Sequence, residues 1–128
     1  MNPILEIILT GILFVVIDSI YLSSVSKYFN KQILSVQGNN LKLEPISAIL
    51  CYIVLIFSIY YFIISRHARI LDAMLLGWTI YLVYELTNKA IISKWSWRTV
   101  LLDGVWGGIL YGLTTLIVYY ISKRKIVF

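Results

Sequence analysis

Four apolar runs, residues 4–25, 46–65, 70–92 and 100–121, take up most of the chain. Crossing about 30 Å of hydrocarbon as an α-helix takes about 20 residues. In lipid, every backbone N–H and C=O must also be paired within its own segment. Four such runs in 128 residues predict an all-α fold: a polytopic membrane protein built as a four-transmembrane-helix bundle, with residues 1–128 as one membrane domain. The composition removes the alternatives. With 60% apolar and only 13% charged residues, a water-soluble fold of this length would lack the polar surface to cover its apolar mass. A soluble enzyme, a disordered tail and a disulfide scaffold are all disfavoured, the last because Cys51 is the only cysteine.

The breaks between the runs carry suitable punctuation. Residues 27–44 are polar, contain Gly38-Asn39-Asn40, and end at Pro45, a good first-turn residue for the second helix. Arg66-His67-Ala68-Arg69 predicts a short hairpin, and Lys94-Trp95-Ser96-Trp97-Arg98 separates the third and fourth runs with tryptophans suited to an interface. The first run lacks a basic leader and a small-residue cleavage site, so it is expected to remain as a mature helix. The +5 formal charge lies mostly between and after the runs, which suits headgroup anchoring rather than nucleic-acid binding. Side A denotes the face of the amino terminus, and side B the opposite face. Each holds five basic residues: the amino terminus with Arg66, Arg69, Lys123, Arg124 and Lys125 on A, and Lys27, Lys31, Lys42, Lys94 and Arg98 on B. Equal counts do not orient the chain. The compact terminal cluster favours both termini in the cytoplasm, and insertion in both orientations stays open.

The carboxylates singled out within the runs are Asp18, Glu85 and Asp103. An ionisable group in hydrocarbon is costly and is by default a functional candidate. At 1.5 Å per residue, Asp18 and Glu85 lie about 21 and 22 Å from side A, and Asp103 about 5 Å from side B. All three therefore belong to the B-side half. Helical spacing puts Gly11, Phe14, Asp18, Tyr21 and Val25 on one face of the first helix. Trp78, Tyr81, Glu85, Asn88 and Ile92 form a stripe on the third, with Tyr84 and Lys89 beside it. A polar pocket opening toward side B is expected from Asp18, Tyr21, Tyr81, Glu85, Asn88, Asp103 and Trp106. Gly104, Gly108 and Gly112 recur every four residues, a ridge suited to close helix contact inside the bundle or across a homodimer seam.

Simpler accounts stand beside these. Lys89 four residues after Glu85 predicts a local ion pair, and Arg98 or Lys94 could balance Asp103. Asp18 has no base within a helical turn and must pair across helices, meet water or stay protonated. His67 has no second histidine with which to bind a metal, and Cys51 has no paired base. No metal or cofactor is expected, and no phosphate loop, dinucleotide fingerprint or zinc-protease motif is present.

Asp18-Ser19-Ile20-Tyr21-Leu22, Tyr84-Glu85-Leu86-Thr87-Asn88, Lys94-Trp95-Ser96 and Asp103-Gly104-Val105-Trp106-Gly107 are similar to the motifs of a known family. The chain resembles, over nearly its whole length, the small four-helix membrane proteins grouped as domain of unknown function 2177. Their pattern has an acid followed by Leu-Thr-Asn, a Lys-Gly-Trp-Pro-like hairpin, and Asp-x-x-Trp-Gly. Glu85 stands where the family more often has aspartate, Ser96 where it often has proline, and Tyr21 where tryptophan is common. Lys89 occupies a position that is apolar in the family, which would neutralise the acid locally. The resemblance implies a four-helix membrane fold and a shared polar motif, and no activity.

Three functions compete. The first is a small proton or cation channel or transporter in which Asp18, Glu85 and Asp103 bind or conduct the ion. Closely placed carboxylates in a low dielectric can exchange a proton near neutral pH. Tyr81, Asn88 and Tyr21 would then supply hydrogen bonds, and Lys89 would set the resting charge. The second is a structural or partner-binding subunit held together by interhelical hydrogen bonds. The third is a membrane-embedded enzyme acting on a lipid or isoprenoid. The expected partners are the bilayer, a second copy of the chain and an ion or small ligand.

Overall fold

In the computed structural model, which describes residues 1–38 and 44–128, α1 runs from Pro3 to Gln37, 35 residues. Asn2 caps it by accepting from the Ile4 N–H at 2.8 Å, and Pro3 sits in the first turn, where its missing N–H costs nothing. The helix ends where Gly38, at φ 76°, turns left-handed and its N–H reaches the Leu34 oxygen. At 1.5 Å per residue α1 is about 52 Å long, well beyond a bilayer core. The polar break expected from Lys27 is therefore helical as far as Gln37. Charge marks where hydrocarbon ends and does not break a helix, and neither proline nor glycine intervenes before Gly38. The predicted Asn39-Asn40 turn and Lys42 lie outside the described residues.

Helix α2 spans Pro45–Ile59 and continues through a π-helical turn at Tyr60–Ile64. Glu44 caps it, its carboxylate accepting from the N–H groups of Ile46 (3.2 Å) and Ser47 (2.6 Å). The Ser47 side chain and N–H, and less so the Ile46 N–H, hold the Glu44 carboxyl below the usual glutamate range. A short connection with His67 at φ 52° leads to α3, Ile70–Ile91. There Asp72 accepts from the Arg69 backbone and guanidinium. Ser96 accepts from the Thr99 N–H to open α4, Trp97–Ile121.

Helix α4 is the centre of the bundle, packed against α3 on one side and α1 on the other. The closest approach is to α3, at Gly77 and Gly107: a Cβ on Gly107 would lie 2.6 Å from the Gly77 oxygen. The ridge of Gly104, Gly108 and Gly112 faces Leu82, Trp78 and Met74 of α3. It is thus an intrachain seam rather than a seam between copies. The outer faces stay apolar, with Ile8, Ile12, Ile53, Val83, Leu101 and Val105 exposed. The carboxylates Glu6, Asp18 and Glu85 and the hydroxyls of Thr10, Ser58, Thr114 and Thr115 turn inward, the inverse of a water-soluble fold and the arrangement a bilayer requires. The four helices are long and apolar enough to cross a membrane, and the protein is a multi-pass integral membrane protein.

Both ends of the bundle are closed by polar contacts. On side A, Glu6 is buried and pairs with Arg124 at 2.7 Å, while Arg124 also donates to the Ile64 oxygen at 2.6 Å. The terminal segment lies along the same end, with the Ile70 N–H bonded to the Val127 oxygen. On side B, the extension of α1 grips the α3–α4 connection. Gln32 donates to the Lys94 oxygen (2.7 Å) and accepts from the Ser96 N–H (3.1 Å) and the Thr99 hydroxyl (2.9 Å). Tyr28 shares a hydrogen bond with Thr99 at 2.9 Å.

Candidate functional site

Between these two caps, nearer side B, the inward carboxylates meet. Asp18 is buried and accepts two hydrogen bonds from other helices: Tyr52 of α2 at 2.5 Å and the Trp106 indole of α4 at 2.9 Å. The Tyr21 ring stacks on Trp106 with centroids 4.3 Å apart and planes 3° from parallel, and its hydroxyl donates to Asp103 at 3.4 Å. Trp106 thus links the two aspartates, holding one by its N–H and the other through its stacked tyrosine. Asp103 is half-buried and lies within electrostatic reach of both Asp18 and Glu85.

Glu85 is 0% exposed, and neither carboxylate oxygen has a hydrogen-bond partner. The buried Trp95 indole turns toward it without reaching hydrogen-bond geometry, so that N–H is unpaired as well. Buried polar groups are paired in the large majority of cases, and an unpaired buried charge is costly. Phe14 closes the floor toward side A, edge-on to Tyr52 and Tyr111, and Tyr111 bonds Ser58 at 2.6 Å.

Asp18, Tyr21, Asp103 and Trp106 are joined by direct contacts, and Glu85 and Tyr81 lie in their field. Two expected members stand apart. Lys89 forms no ion pair with Glu85 and sets its ammonium over the Trp97 ring at 5.6 Å. The α3 helix carries Lys89 past the acid, and the aromatic face offers the cation a site nearer the interface. The Asn88 oxygen that is used is its backbone carbonyl, which accepts from the Ile92 N–H. Its side chain makes no hydrogen bond to the acids among the described residues. Arg98 likewise turns to the Tyr28 ring, 5.6 Å away, rather than to Asp103.

Sequence reasoning missed Tyr52 and Trp95. Tyr52 is seven residues past Pro45, about 10 Å below side B, the level at which the acids gather. That depth was the available signal. Glu6 was also missed, although it falls within the first apolar run. Among the described residues no group of three or more His, Cys, Asp or Glu could hold a metal ion.

A family model described as a predicted membrane protein, DUF2177, matches residues 3–120. No curated protein and no solved structure matches the chain.

Proposed function

We propose, for a chain that belongs to the DUF2177 family of predicted membrane proteins, that its side-B carboxylate cluster takes up and releases a proton as part of proton or cation translocation. The observation that carries this reading is Glu85: fully enclosed, without a donor on either oxygen, and facing a second acid. A carboxyl group so placed contributes little to holding helices together, whereas a proton on it changes the balance of charge at the heart of the bundle. In this reading Glu85 carries the proton. Asp103 exchanges it, with the Tyr21 hydroxyl as its neighbour at 3.4 Å. Asp18 is the fixed acceptor that holds Tyr52 and Trp106 in place.

The test is purified protein in tight liposomes carrying a pH-sensitive dye, with a pH gradient or voltage imposed. Wild-type protein should dissipate the gradient. Glu85→Gln and Asp103→Asn should abolish flux in variants that still show a cooperative melt. Absence of flux from the wild type under both driving forces removes the proposal, as does full flux from Glu85→Gln. Asp18 by itself favours a second reading, a structural subunit, because both its oxygens already bond across helices. In that case neutral replacements of all three acids lower the melting temperature, and any measured flux is unchanged.

A further inference from the structure

A groove of about 620 Å³ runs down the outside of the bundle between α1 and α4. Its volume falls within the range of sites that hold small ligands. Val25, Leu102, Val105 and Ile109 line it together with Tyr21 and Trp106, which are half-buried where Leu102, Val105 and Ile109 are exposed. It opens outward, where Leu101 and Val105 are exposed apolar residues facing the hydrocarbon. Arg98 closes its side-B end.

Length and charge together indicate what fills it. Arg98 is the second residue of α4, and Ile109 lies eleven residues further on. At 1.5 Å per residue the groove descends about 16 Å from the headgroup level, close to one leaflet of a core about 30 Å thick. Its mouth is cationic. Arg98 forms no ion pair, since the ion pairs among the described residues are Arg69–Asp72 and Glu6–Arg124. The Tyr28 ring holds the Arg98 guanidinium at 5.6 Å. Lys27 and Lys31 flank Tyr28 in the chain. Of the described acids nearest this level, Glu44 is engaged in capping α2, and Asp103, five residues deeper on α4 than Arg98, accepts from the Tyr21 hydroxyl.

We propose that this groove binds one phospholipid with an anionic headgroup, drawn from the side-B leaflet. The headgroup phosphate lies against Arg98, and one acyl chain lies along α4 over the Tyr21–Trp106 pair. Guanidinium suits phosphate because its donors are arranged as a planar fork. Tyr28 orients that fork in advance, so less freedom is lost on binding. The site does not depend on the transport reading, although its lining includes the aromatic pair that contacts both aspartates.

The experiment equilibrates purified protein with vesicles of equal phosphatidylcholine and phosphatidylglycerol bearing the same acyl chains. Retained lipid is then weighed by native mass spectrometry. Wild-type protein should retain phosphatidylglycerol over phosphatidylcholine by about fivefold, the contribution of one basic residue near a headgroup. Arg98→Gln should bring that ratio close to one, Lys94→Gln should leave it unchanged, and Val105→Trp, which fills the groove, should lower retention of both lipids. A second measurement needs no variant: phosphatidylglycerol carrying a photoreactive diazirine in mid-chain should label Val25, Leu102, Val105 or Ile109. A wild-type ratio near one overturns the proposal, as does an Arg98→Gln ratio equal to the wild type. Labelling spread evenly over the outer faces of α2 and α3 overturns it as well. None of these readouts involves proton flux, so a failure here is distinct from a failure of the proposed translocation.

Discussion

Replacing single glycines by alanine separates intrinsic helix preference from close packing, because the neighbourhoods of Gly11 and Gly107 are opposite. A Cβ on Gly11 would lie 3.6 Å from the Ile56 Cδ1, an ordinary contact. Gly11→Ala should therefore gain most of the alanine preference, about 1 kcal/mol. A Cβ on Gly107 would lie 2.5 Å from the Tyr81 Cγ and 2.6 Å from the Gly77 oxygen. A backbone oxygen cannot rotate away, so α3 and α4 must separate by at least about 0.4 Å before that contact reaches 3.0 Å. Overpacking of this kind costs about 1–3 kcal/mol, and a neighbour that cannot yield places it toward the upper end. The helix preference is common to both variants and cancels. Gly107→Ala should thus be less stable than Gly11→Ala by about 3 kcal/mol, roughly a 150-fold difference in the folding equilibrium. Gly104→Ala should fall between them, since its obstruction is the flexible end of Leu82. Reversible unfolding in mixed detergent micelles, followed by helix content against denaturing-detergent fraction, measures the series. Equal stability of Gly107→Ala and Gly11→Ala would refute the close α3–α4 seam.

Two further outcomes follow from the ends of the bundle. Arg124→Gln leaves the buried Glu6 without its cation and should cost about 3 kcal/mol, whereas the Glu6→Gln/Arg124→Gln double variant should recover much of that loss. Thermal melts of both variants check this, and equal losses would count against a desolvated pair. At side B, the lowered Glu44 carboxyl contributes stability that is present above the ordinary glutamate range and is lost as pH falls through its own, lower value. Protection of the Ile46 and Ser47 amides from hydrogen exchange should therefore decline in acid in the wild type and be insensitive to pH in Glu44→Gln. Identical pH profiles would sink the capping role.

Much of the architecture can be read from local pattern. Hydropathy is summed residue by residue, and the rise of a helix is constant, so the apolar runs and the depths of Asp18 and Glu85 follow without knowledge of neighbours. The same arithmetic would have brought Tyr52 to the level of the acids. It could not say that Tyr52 turns to Asp18, because that depends on the rotation of α2 about its own axis. The proposed Glu85–Lys89 pair had correct spacing, yet the Trp97 ring, brought near by the turn into α4, takes the lysine.

What the amino-acid order determined by itself is the membrane class and the inward turn of the polar residues, since both are set by the cost of placing each side chain in lipid. Tertiary structure decided the partners: Arg124 with Glu6 across 118 positions, Trp106 with Asp18 across 88, and the glycine ridge facing α3 instead of a second copy. The reason is that lipid is as apolar as leucine, so hydrophobicity does not choose between neighbouring helices. Shape at the glycines and a few directed hydrogen bonds make that choice, and both exist only once the helices are side by side.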